Sequence, residues 1–156
     1  MCNNTLLGQR LNLSSSSDIF DNLIKKNEWE TLIRLFSLNI LDINHRDCKG
    51  RNILYFAILN KKYEYIKILF DLRVNSRVNF SLNAINFAVC LDDIKSLEIL
   101  LKCGLSVDTL DEIGTSPLIY AILYNKKKSA EFLIKSGADL ELEDFMGNCA
   151  KKMLQN

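Results

Sequence analysis

Apolar residues recur along the chain at i, i+3 and i+4 in four stretches of the same design. These are Leu32/Leu35/Phe36, Ile66/Leu69/Phe70, Leu97/Leu100/Leu101 and Ala130/Leu133/Ile134. The spacing is that of a helix with one buried stripe. A shorter apolar stretch precedes each. Within it a small or apolar residue stands twelve positions ahead of a leucine: Leu23 to Leu35, Ala57 to Leu69, Ala88 to Leu100 and Ala121 to Leu133. The starts are 34, 31 and 33 residues apart. That period falls in the range of helical solenoids.

Polar residues punctuate each unit in the same places. Asp18, Asn52, Asn83 and Ser116 stand five positions ahead of the anchors. Their side chains suit the open N–H groups of a first helical turn. Pro117, the single proline, follows Ser116 at the first helical position, where a missing N–H costs nothing. Asn27, Lys61, Asp92 and Asn125 then mark a break between two helices; Asn and Asp tolerate left-handed geometry, and Lys does so less well. The second helix is expected to end at Asn39, Arg73, Gly104 and Gly137. Each unit thus reads as helix, turn, helix and extended connection. One such pair cannot bury its own apolar face, whereas stacked neighbours can.

The fourth unit runs Asp111-Glu-Ile-Gly114-Thr-Ser116-Pro117-Leu118-Ile-Tyr-Ala121 and closes with Gly137-Ala138-Asp139-Leu140. This resembles the ankyrin repeat, with its D-x-x-G-x-T-P-L-H-x-A opening and G-A-D-V-N ending. The second unit matches at Asp47, Gly50, Leu54 and Ala57, and the first ends in a similar Leu41-Asp42-Ile43-Asn44. The third keeps Gly104 and Asp108 but lacks the opening Asp and Gly and is two residues short before its first helix. The resemblance implies an all-α ankyrin-repeat solenoid of helix-turn-helix units joined by hairpin-like fingers. The expected domain covers 18–154, with units at about 18–46, 47–77, 78–110 and 111–143 and a partial unit at 144–154. Residues 1–17 read as a flexible leader. No unit has the pattern's histidine; Asp21, Tyr55, Asn86 and Ile119 stand there instead. The glycine between helices is missing from all four.

Composition narrows the function. A length of 156 residues suits one compact domain, 48% hydrophobic residues suit a globular one, and a net charge of +1 argues against a nucleic-acid binder. No apolar run reaches the ~18 residues of a membrane span, and the N-terminus lacks the pattern of a secretory signal. The expectation is a monomer in the cytoplasm, with nuclear access open, that binds neither nucleic acid nor membrane. Five cysteines, an odd number with no C-x-x-C spacing, give no disulfide framework or zinc site. His45 near Cys48, itself close to Arg46 and Lys49, allows a remote reading as a thiol redox sensor. The phosphate-loop, zincin and nucleophile-elbow motifs are absent. We therefore expect no enzyme activity, no cofactor and no metal.

A partner protein is the expected ligand. The resemblance places the connections between units at finger tips along one edge. Early fingers carry Arg46, Lys49, Arg51, Arg73 and Arg77; later ones carry Asp108, Asp111, Glu112, Asp139, Glu141, Glu143 and Asp144. The edge should run from basic to acidic and orient a partner of opposite polarity. Mapped onto the resemblance, the recognition positions hold Phe80, Ile113, Phe145 and Met146 on fingers, and Leu59, Asn60, Cys90, Leu91, Leu123 and Tyr124 on first helices. Without Asn60 and Cys90, and with Arg46, Lys49, Arg51 and Glu112, these form the candidate partner-binding set. The function expected is a non-catalytic interaction module acting as scaffold, adaptor or masking inhibitor. The alternative is a host-directed decoy of a transcription factor or kinase from a virus or intracellular pathogen, suggested by an Asn, Ile and Lys bias.

Overall fold

The structure is a computed structural model that describes residues 16–155. Its helices come in pairs: α1 (Ser16–Lys25) with α2 (Trp29–Ser37), α3 (Ile53–Leu59) with α4 (Tyr63–Asp71), α5 (Ala84–Cys90) with α6 (Ile94–Lys102), and α7 (Pro117–Leu123) with α8 (Lys127–Lys135). A short α9 (Ala150–Leu154) follows. The pairs stack as two rows. First helices α3, α5, α7 and α9 pack in sequence along one row; second helices α4, α6 and α8 form the other. The first pair joins through rings, with Phe20 edge-on to Phe56 at 6.0 Å and Trp29 stacked on Tyr65 at 5.5 Å. Among the described residues there is no sheet, only one isolated antiparallel bridge between Arg77 and Asn83. The fold is the expected all-α solenoid. The expected leader overlaps α1, since residues 16 and 17 are helical; the rest of it lies outside the described residues.

Repetition in the sequence becomes repetition in the core. Ala57, Ala88 and Ala121 are all buried, one on each of three successive first helices. Leu69, Leu100 and Leu133 fill the matching place on the second helices. The first unit fits less closely, because Leu23 and Leu35 are only half-buried and Phe20, Leu32 and Phe36 supply the core. Ile134 departs from its stripe and is exposed.

Three of the four expected caps form. Asn52 accepts from Tyr55 N–H, Asn83 from Asn86 N–H and Ser116 from Ile119 N–H. Asp18 does not stand ahead of a helix; it lies in the first turn of α1. The breaks at Asn27, Lys61, Asp92 and Asn125 all take φ between +53° and +59°. Asn39 and Arg73 do the same at helix ends, at +54° and +65°. Left-handed geometry costs an L-residue about 1–2 kcal/mol. Two of the side chains offset it locally. Asn27 Oδ1 accepts from Trp29 Nε1 at 2.9 Å. Asp92 Oδ1 accepts from Ser129 N at 3.0 Å and Ser129 Oγ at 2.7 Å. Helix α8 has no side-chain cap of its own, so a residue from the preceding unit caps its first turn.

One core position is poorly solved. Asn86 stands where the second unit has Tyr55 and the fourth has Ile119. It is fully buried, and neither its Oδ1 nor its Nδ2 has a partner among the described residues. An orphaned buried polar group costs about 1–3 kcal/mol. Asn86→Ile, which copies the fourth unit, is expected to stabilise the chain by about 1 kcal/mol. Urea denaturation measures this, and a destabilised variant would show that the amide is satisfied in solution.

Candidate partner-binding face

The fingers are built on one acceptor side chain each. Asp47 accepts from Lys49 N–H and Arg51 N–H, Asp111 from Ile113 N–H and Thr115 N–H, and Asp144 from Met146 N–H and Asn148 N–H. Three residues on, a glycine completes the turn with left-handed φ, +73° at Gly50 and +75° at Gly114. In the third unit Asn79 replaces the missing Asp, one residue closer to its helix, and accepts from Ser81 N–H and Leu82 N–H. The finger therefore survives in a tighter form.

Phe80 and Phe145 each directly follow the turn acceptor, and each lays its ring across the glycine of the preceding finger. A Cβ on Gly50 would come within 2.2 Å of the Phe80 ring; one on Gly114 would come within 2.7 Å of the Phe145 ring. Both rings clamp neighbouring fingers, although Phe80 remains 69% exposed and Phe145 77%. Ile113 and Met146, at 59% and 82%, have no such duty. Leu59, Leu91, Leu123 and Tyr124 are exposed at the far ends of the first helices, with Tyr124 stacked on Tyr120 at 5.7 Å. Leu110 is a further exposed apolar residue on the fourth finger. It was missed because its position carries no repeat signal.

The charged set is redistributed. Arg51 binds the buried Asp47 carboxylate through Nε at 2.7 Å and covers the Phe56 ring at 4.8 Å. Burial raises the Asp47 pKa, but bonds from Arg51 and two backbone N–H groups outweigh it and hold the carboxyl below its usual range. Arg46 donates to Gly50 O and Arg77 O, and Arg77 pairs with Glu112. Five of the expected contact residues, Arg46, Arg51, Glu112 and the rings of Phe80 and Phe145, thus also hold fingers together. Lys49 is exposed. Among later carboxylates, Glu141 pairs with Lys151 and Glu143 with Lys152.

The thiol reading finds no assembled pair. Cys48 is exposed on the second finger. The His45 ring packs edge-on to Phe20 at 5.1 Å, and its buried Nε2 has no partner among the described residues. It is half-buried and does not sit on an exposed finger tip. Among the described residues no group of His, Cys, Asp and Glu could hold a metal ion, and no helix is long and apolar enough to cross a membrane. A groove of about 590 Å³ lies between α4 and α6, lined in part by Tyr63, Phe70, Ile99 and Cys103. Burial pushes the Cys103 thiol up, with Asp71 adding to the effect.

Residues 70–144 match the family model described as "Ankyrin repeats (3 copies)". Over that stretch the repeats are ankyrin repeats. A potassium channel of Arabidopsis thaliana, AKT2/3, is 28% identical over 145 residues. The match covers 88% of this chain and 18% of the channel's length. Ankyrin repeats are in general protein-interaction modules. In this stack the first two units lie mostly ahead of the matched residues, yet their pairs carry the same left-handed breaks, at Asn27 and Lys61, as the later ones.

Proposed function

We propose that this chain binds a partner protein across its fingers and the far ends of its first helices. One observation carries the reading: exposed apolar residues recur at corresponding places in successive units, outside the core. Leu59, Leu123 and the cap-position residues Leu91 and Tyr124 mark first-helix ends; Ile113 and Met146 mark fingers. Exposed apolar side chains in contiguous sets mark interaction sites on proteins. Rigid helices and hydrogen-bonded fingers hold them in place before binding, which lowers the ordering cost of association. Masking or scaffolding a partner both follow from this single face.

The test is affinity capture with the natural chain beside a variant carrying Leu91→Ser, Ile113→Ser, Leu123→Ser and Met146→Ser. All four side chains are exposed, so helicity and melting temperature should be retained. Captured proteins should be lost from the variant. Equal recovery by both chains would reject the face.

A further inference from the structure

We infer that the partner presents a basic, apolar-bearing segment to the fourth and fifth fingers; this rests on the reading that the finger face binds protein. These two fingers form one surface. Phe145 N donates to Ile113 O at 3.2 Å, and Asp139 N donates to Asp108 Oδ1 at 3.0 Å. The Phe145 ring on Gly114 locks them further. The exposed side chains of Ile113 and Met146 stand out from this joined surface.

Charge decides what covers them. Residues 104–116 and 137–149 contain seven carboxylates and no Lys or Arg. Cations from outside meet three of these, at Glu112, Glu141 and Glu143. Asp108, Asp111, Asp139 and Asp144 have no ion pair among the described residues. Their oxygens bond mainly to backbone N–H groups, to the Tyr120 hydroxyl or to the Asn148 amide. Those bonds fix the carboxylates without neutralising them. In the early fingers Arg51 is spent on Asp47 and Arg77 on Glu112, while Arg46, Lys49 and Arg73 have no ion pair among the described residues. The acidic end of the edge is the part that surrounds Ile113 and Met146. A simple cation would leave Ile113 and Met146 in water, and an acidic or nucleic-acid partner would be repelled. Lys or Arg beside apolar side chains satisfies both features.

The probe is a displayed library of random extended peptides selected on the intact chain. Three forms are compared: the natural chain, Ile113→Ser/Met146→Ser, and Asp108→Asn/Asp139→Asn. The Asn replacements keep the oxygens that accept backbone bonds. Selected peptides should be net positive and contain apolar residues. Each variant should weaken them about tenfold, and added salt should weaken them further. Neutral or acidic peptides that are lost on Ile113→Ser/Met146→Ser would overturn the inferred partner chemistry and leave the finger face standing. Basic peptides indifferent to Ile113→Ser/Met146→Ser would be simple ion exchange and would also overturn it. Failure to enrich any peptide overturns it as well, while the capture experiment decides the wider reading independently.

Discussion

Asp47→Ala is expected to destabilise the chain by about 2–3 kcal/mol. The carboxylate is buried and organises the whole second finger. Its loss would strand Lys49 N–H and Arg51 N–H and release the Arg51 guanidinium, which covers Phe56. The figure stays below that of a fully buried ion pair because Arg51 is partly in contact with water. Asp47→Asn keeps an acceptor oxygen for the backbone and should cost about 1 kcal/mol. A pH dependence separates charge from shape. The folded pKa of Asp47 lies below its unfolded value, so its contribution is complete above about pH 4. It is lost as pH falls through the folded pKa. Denaturation curves should therefore show the natural chain and Asp47→Asn converging in acid. A constant gap down to low pH would show that the carboxylate's charge contributes nothing.

Gly50→Ala should cost about 2 kcal/mol, from two sources. Left-handed φ opposes any Cβ, and the new methyl would drive the Phe80 ring off the second finger. Gly137→Ala isolates the first source, since its Cβ would meet nothing within 4 Å, and should cost about 1 kcal/mol. In a Phe80→Ala background the second source disappears. Gly50→Ala should then cost about as much as Gly137→Ala, giving a coupling near 1 kcal/mol in a double-mutant cycle. Strict additivity would mean that the ring does not clamp the glycine in solution. The outcome bears on binding too, because a clamped Phe80 stiffens the edge while a released ring would be a flexible contact residue.

The sequence by itself determined the repeat, the helix pairs and most of the caps. These depend on local chemistry: apolar spacing at helical period, side chains that accept from open N–H groups, and residues that tolerate left-handed turns. Even Lys61 and Arg73 could be placed by alignment, since stacking imposes the same turn on every unit regardless of its residue. The exposed row at Leu59, Leu91, Ile113, Leu123 and Met146 was also readable, because the repeat period places each residue relative to the core. What only the tertiary structure decided are the contacts between units. Asn79 takes over the lost Asp, Phe80 and Phe145 cover glycines of the previous finger, Asp92 caps a helix of the next unit, and Arg77 neutralises Glu112. Each joins residues about thirty or more positions apart or follows a one-residue change of register. No local pattern encodes either, since the pairing energy arises only when neighbouring units pack and bring the two groups within reach.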